Sequence, residues 1–554
     1  MRWIWTQITS MRTALFLLML LAIAAVPGSL VPQRSSDPNG VDQFRANNPD
    51  VSAFLDAVQG FDVYFSPWFS SIYLLLFISL VGCIIPRVKH HLVALGAKPP
   101  PTPLRLSRLP GFTTRTIPLG AIDAAGLPVT RASAIDAARS VLRKAGYRTV
   151  VCDESDTLSV SAERGYLRET GNLVFHGALV GILIAVGFGG GFGYNGQRVV
   201  VEGETFVNAL TNYDSFNPGR FFRPETLAPF ALTLDSLSVE YEYTRGKAFG
   251  QPIDFTARAM QRSQDGHVRP ALIKVNDPLA IGGANVYLLG NGYAPTITVR
   301  RPDGTAVFSG SVPFLPQDAN LTSLGVVKIP DGLAEQVGMI GFFYPTAQKL
   351  PSGAFASSFP DLVNPLLTLT VYAGDLGLNS GAASSVYSLK VDKLASLAGG
   401  PSGTKALELR PGETVDLPSG LGTVTLENHA TVAPVGDGNP AQGTANRSDN
   451  SGYSGSVPRF ASLDVRSDPA TGWVLFFAIL VLGGLLTSLF VPRRRVWVKL
   501  REGANGAIDV EYAGLARGDD PGLVSAVAAI AQRHLAAVGA VVSEASPSNG
   551  EEKN

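Results

Sequence analysis

Gly171-Asn-Leu-Val-Phe-His176-Gly-Ala-Leu-Val-Gly181-Ile-Leu-Ile-Ala-Val-Gly187-Phe-Gly-Gly-Gly-Phe192-Gly-Tyr194 decides how this chain folds. From Leu173 to Phe192 it holds no Lys, Arg, Asp or Glu. About 20 residues at about 1.5 Å each match a bilayer core of about 30 Å. One titratable group, His176, sits inside it. An ionisable side chain in hydrocarbon is costly, so it reads as a functional candidate.

Three further apolar runs surround it. Ala14–Val31 ends at Pro32 and reads as the first span, within 13–32. Its rival is a cleaved signal peptide with Ala22-Ile23-Ala24 as the small-residue site, although 18 apolar residues exceed a usual signal core. Trp68–Ile85 is the second span (68–86), closed by Pro86-Arg87, with Trp68 and Tyr73 as interface anchors. Gly171–Tyr194 is the third, and Gly472–Val491 the fourth (472–491).

The intervening segments differ in character. Residues 33–67 are a short polar loop with Pro38, Pro49 and Pro67. Residues 87–170 carry 13 Lys or Arg against 7 Asp or Glu. There, Ser133–Ala145 has helical spacing and stops at Gly146. Tyr147–Cys152 and Thr157–Ala162 alternate like strands around Asp153-Glu154-Ser155-Asp156, so a small α+β module is expected. Residues 195–471 lack long apolar runs. Alternation at Phe230–Tyr243, Leu366–Tyr372 and Thr423–Leu426, and the Arg301-Pro302-Asp303-Gly304 turn, predict a β-rich, sandwich-like domain. Residues 433–457 read as a flexible insert. The tail, 492–554, holds an amphipathic helix at Gly522–Ala537 and polar disorder from Ser543.

Basic residues crowd the N-terminus (1–12), the 87–170 segment and Arg493-Arg494-Arg495 with Lys499. The positive-inside rule then places both termini and the 87–170 module in the cytoplasm and 33–67 and 195–471 outside, for a multi-pass protein of the plasma membrane. His176, near the start of the apolar run, is expected near the cytoplasmic face.

Only 16% of residues are charged and the net charge is zero, with no basic face interleaved with aromatics, so nucleic acid is not an expected partner. Cys83 and Cys152 form neither a CxxC pair nor a disulfide framework. No P-loop, GxSxG or HExxH occurs. Cys83 reads as a small buried apolar residue. His90 and His91 read as solvated membrane-edge residues, with contact to a ligand at the inner face as the alternative. His267 and His429 read as surface or turn residues. For His176, helix packing, proton relay, pairing with another helix and ligation of haem iron all remain open.

Several stretches together resemble the ResB/CcsB family of system II cytochrome c biogenesis. They are Ala14-Leu-Phe-Leu-Leu-Met-Leu-Leu-Ala22 ending Gly28-Ser-Leu-Val-Pro-Gln33; Asp62-Val-Tyr-Phe-Ser-Pro-Trp-Phe69 leading to Gly82-Cys83; and Ala162-Glu-Arg-Gly-Tyr-Leu-Arg168 leading to Gly171 and His176. Then come Lys274-Val-Asn-Asp-Pro-Leu279, Val286-Tyr287, Tyr293-Ala-Pro295, Asp468-Pro469 and Arg494-Arg-Val-Trp497. The resemblance implies a polytopic α-helical protein of four spans with a large extracytoplasmic β domain. It implies a ResC/CcsA-like, Trp-rich membrane partner, apocytochrome c as client, and a thiol-reducing thioredoxin-like protein as a further partner. It implies that haem b is held transiently, with His176 as the cofactor-binding residue and ligand to haem iron. This chain has five Trp (3, 5, 68, 473, 497) and no CxxCH, so it resembles the ResB half and is not itself a c-type cytochrome. No residue is expected to carry covalent catalysis. The competing class is a membrane-anchored extracytoplasmic binding or sensor protein with no haem role.

Overall fold

In a computed structural model of the chain, four helices are long and apolar enough to cross a membrane: Met11–Leu30, Pro67–Gly96, Leu167–Phe192 and Thr471–Phe490. The structure describes every residue except 1, 124–125, 155–156, 245, 247, 379–386, 431–451, 504–505 and 541–554. Most of the insert expected at 433–457, half of the turn expected at 153–156 and the tail from Ser543 therefore lie outside the described residues. In order the helices are α1 (Arg2–Ile8), α2 (Met11–Leu30), α3 (Pro38–Asn47), α4 (Pro49–Ala57), α5 (Pro67–Gly96), α6 (Arg131–Lys144), α7 (Leu167–Phe192), α8 (Thr471–Phe490) and α9 (Leu523–Ala537). The chain divides into two units, Met1–Gly187 with Ala470–Asn554, and Phe188–Pro469.

In the first unit, small residues set the helix approaches, as expected where lipid gives no hydrophobic drive between helices. A Cβ on Gly171 of α7 would lie 2.8 Å from the carbonyl oxygen of Gly484 on α8, and one on Gly484 would lie 2.7 Å from that of Gly171. On α5, Ser79 donates to the Ile8 carbonyl at 2.6 Å and Cys83 to the Thr9 carbonyl at 2.8 Å. A Cβ at Gly82 would strike Thr9. Cys83 thus seats the α1–α2 turn. Residues 33–67 contain α3, α4 and a 3₁₀ turn at Val63–Phe65 where a loop is expected. Pro38 and Pro49 open α3 and α4 at positions where a missing N–H costs nothing.

The second span, α5, departs from expectation. It does not close at Pro86 but runs on to Gly96. Proline costs a helix one hydrogen bond and a clash with the carbonyl four residues back. Here that residue is Gly82, and the helix passes through.

The remainder of this unit is an α+β module built from two distant parts of the chain. Its five antiparallel strands lie in the order 113–117, 508–516, 494–502, 157–164, 148–154. Two of them come from the tail, where only a helix is expected. Helix α6 opens with a capping box between Thr130 and Ser133 and stops at Gly146, which adopts φ +80°. Ala134, Ile135 and Leu142 of α6 and Val527 and Ile530 of α9 join Val160, Val498 and Val510 in one core. His534 of α9 is fully buried there. Its Nε2 donates to the Ala134 carbonyl at 2.8 Å, so Nδ1 accepts from the Tyr512 hydroxyl at 2.6 Å. Burial lowers its pKa and keeps the ring neutral.

The second unit is built of antiparallel sheets. The first strand after α7, Tyr194–Val201, pairs with the last before α8, Arg459–Ser467, with Tyr194 opposite Ser467. That pair lies inside a five-stranded sheet, and a four-stranded sheet (205–207, 231–241, 252–262, 268–274) shares its core through Leu232, Ala257, Ile273, Val286 and Leu463. A second core joins Ile297, Val299 and Val424 of one sheet to Val327, Val337 and Leu367 of another. The Arg301–Gly304 turn closes with Arg301 N–H on Thr305 O at 2.9 Å, Gly304 taking φ +85°.

Candidate functional site

Helix α7 begins at Leu167, so His176 lies nine residues along it, about 14 Å from its first residue. Gly171, Ala178, Gly181 and Ala185 are its buried positions around that point. At about 100° per residue they form one stripe, and His176 lies about 160° round from Ala178. The imidazole is therefore on the face turned away from the α8 seam, and is half-buried.

Its contacts are local. Nδ1 lies 2.8 Å from the carbonyl oxygen of Asn172, one turn back. A carbonyl can only accept, so Nδ1 carries a hydrogen, and in the neutral ring the lone pair is then on Nε2. The Phe175 ring stands edge-on at 4.9 Å and 90°. Nε2 makes no hydrogen bond among the described residues. This arrangement fits haem iron: one nitrogen oriented by a second-sphere carbonyl, the other open.

Two links hold α7 against α5. The Tyr73 hydroxyl donates to the Leu183 carbonyl. His91 Nε2 lies 3.0 Å from Thr170 Oγ1, which itself donates to the Tyr166 carbonyl at 3.3 Å. Thr170 spends its one hydrogen on that carbonyl, so His91 is the donor. His91 is buried, at 7% exposure, and is not the solvated membrane-edge residue expected; His90 is exposed. The longer α5 carries His91 round onto the face toward α7.

At the start of α7 charged residues form a collar. The buried Glu163 receives Arg493 at 2.9 Å and Arg495 at 3.1 Å. Burial pushes this carboxyl up, but the Tyr166 hydroxyl and the two guanidiniums outweigh it and hold it below the usual range. Arg517 meets Glu169 at 2.5 Å, and Arg168 donates to the Arg517 carbonyl.

His267 is exposed beside Asp265 at 3.6 Å, and His429 Nε2 lies 2.7 Å from Thr296 Oγ1. Among the described residues no three His, Cys, Asp or Glu converge on a metal position. Cys152 is a free thiol in the module. The roles of Thr170, Asn172 and Tyr73 were not legible from sequence, since two act through or upon a backbone carbonyl.

A family model described as the ResB-like family matches residues 11–528. A protein named cytochrome c biogenesis protein CcsB from Prochlorococcus marinus (strain AS9601) is 28% identical over 293 residues, 51% of this chain and 59% of the relative. One of the same name from Thermosynechococcus vestitus is 26% identical over 291 residues, 50% of this chain and 57% of the relative. The chain thus spans somewhat over half the length of the curated relatives it matches. With the match running from the first apolar helix into α9, this chain belongs to the ResB-like family.

Proposed function

We propose that this chain is a membrane subunit of a system II cytochrome c synthase, which helps to move haem across the plasma membrane and present it to apocytochrome c. The observation that carries the reading is the His176 imidazole, open at Nε2 on the face of α7 opposite the α8 seam. Membership of the ResB-like family and the biogenesis names of the relatives support it.

Haem b is the cargo here. The His176 nitrogen would hold its iron while a helix of a ResC/CcsA-like partner closes the other side. Attachment to two thiols is a matter of register, and holding the reactants in place supplies much of the rate. Reduced client thiols call for a thioredoxin-like donor. In this reading the subunit positions haem and client.

Deletion of the gene should abolish covalently bound haem in c-type cytochromes and leave b-type haem in place. Haem staining of denaturing gels, with pyridine haemochrome spectra, measures both. Normal c-type cytochromes in the deletion strain would sink the reading. A colourless purified protein with no Trp-rich partner would turn it toward the binding or sensor class.

The sandwich-like β domain is proposed to lie outside the membrane, with both termini and the module inside, because basic residues crowd 87–170 and 493–499. Alkaline phosphatase should be active when fused after Gly310 and inactive after Gly120 or Gly503. Activity after Gly120 would overturn this orientation.

A further inference from the structure

We infer that the cleft where α7 runs into the β domain takes the propionate-bearing edge of a porphyrin, a docking place separate from His176. The inference rests on the haem-handling reading above.

Phe188 and Phe192, one turn apart at the end of α7, stack with ring centres 4.5 Å apart and planes 29° apart. The chain then returns to the same helix end. Gly219 N–H donates to the Gly193 carbonyl and Phe221 N–H to the Gly191 carbonyl, both at 2.8 Å. A Cβ on Gly219 would lie 2.5 Å from the Gly191 oxygen, so only glycine allows this approach. The loop thereby lays Phe221 against Phe192, 5.4 Å away and tilted by 34°. A cleft of about 800 Å³ results.

Phe188, Phe192 and Phe221 remain 49%, 46% and 58% exposed. Arg220 and Arg223 also line the cleft, on either side of Phe221. Neither guanidinium makes an ion pair or hydrogen bond among the described residues, unlike Arg459, Arg493 and Arg494. A wall of nearly parallel rings suits a flat, rigid, apolar body. Two unspent guanidiniums at its edge suit two carboxylates, which they can bind in bidentate fashion. A porphyrin combines both. A phospholipid would use the charges but gains nothing from aligned rings. No His, Met or Cys lines the cleft, and its one tyrosine, Tyr194, is buried with its hydroxyl on Asn208, so no open iron ligand is offered here.

Metal-free protoporphyrin IX is therefore the probe, since it offers His176 no iron. With the full chain in phosphatidylcholine nanodiscs, fluorescence titration should show the diacid binding about tenfold more tightly than its dimethyl ester. The double variant Arg220→Gln/Arg223→Gln, which alters exposed side chains without partners, should erase that difference and leave ester binding unchanged. Equal binding of acid and ester by the natural protein, or an unaltered difference in the double variant, overturns the assignment. So does competitive displacement of the diacid by phosphatidylglycerol with arginine-dependent lipid binding, which would make the occupant a lipid headgroup. The two readings fail separately. If deletion abolishes c-type cytochromes while the arginines prove irrelevant to porphyrin, only the cleft is lost. If deletion leaves c-type cytochromes intact, the biogenesis reading falls, whatever the cleft binds.

Discussion

A His176→Gly chain should assemble normally, carry little haem, and make about tenfold less c-type cytochrome or lower still. The substitution removes the imidazole with its bond to the Asn172 carbonyl and its edge contact with Phe175. None of these ties α7 to α5 or α8, whose contacts run through Gly171, Thr170 and Leu183. The cost to the fold is one glycine in a helix that already holds several, about 1 kcal/mol. The void matches an imidazole, so external imidazole should restore haem and cytochrome together by supplying the missing nitrogen. Haem absorbance of the purified complex, with subunit amounts by immunoblot, separates ligation from packing. Normal haem in a stable complex would remove His176 from the haem path. Loss of subunits without imidazole rescue would make it a packing residue.

Asp361→Ala should destabilise the β domain by about 3–5 kcal/mol, the typical cost of leaving a buried charge unpaired. Asp361 and Arg459 meet at 2.9 Å with each side chain 11% exposed. The carboxylate also accepts from the Tyr243 hydroxyl at 2.9 Å and the Tyr293 hydroxyl at 3.3 Å. Arg459 lies over the Tyr293 ring, 4.4 Å from its centre. A guanidinium does not deprotonate in a protein interior, so Arg459 stays charged when its partner is removed. The domain's melting temperature should fall by about 6 °C or more, read by near-ultraviolet circular dichroism. The pair Asp254–Lys274, 42% exposed on both sides, is the control; Asp254→Ala should leave the melting temperature nearly unchanged. Equal shifts for both variants would show that burial does not set the value of the pair.

The apolar helices were legible because about 20 uncharged residues admit few other readings. Strand alternation located Ala231–Tyr241, Leu366–Ala373 and the hairpin at Arg301 for a similar reason: the period of two is local. His176 stood out as the one ionisable group in its span. What stayed hidden depended on distant partners. Arg494–Glu502 reads as a cluster of membrane-edge charge, and its Val496, Val498 and Leu500 acquire a buried face only because Thr157–Arg164 lies alongside. His91 looked solvated because Pro86 seemed to end its helix. Arg220 and Arg223 carry no pattern at all; they matter because Gly219 folds back onto Gly191.

The module's sheet has a history written into its strand order. Thr157–Arg164 is paired on one side by Arg148–Glu154, made just before it, and on the other by Arg494–Glu502. Glu163 and its partner Arg493 are 330 residues apart. At ribosomal speeds of about 5–20 residues per second, that gap is roughly 15–65 s. Until Arg494–Glu502 is made, the edge of Thr157–Arg164 that it pairs has no partner strand. The edge is capped only when the whole β domain and α8 have been synthesised. Closure of the sheet thus comes last in synthesis, and a chain truncated before Arg494 lacks the partner of that edge.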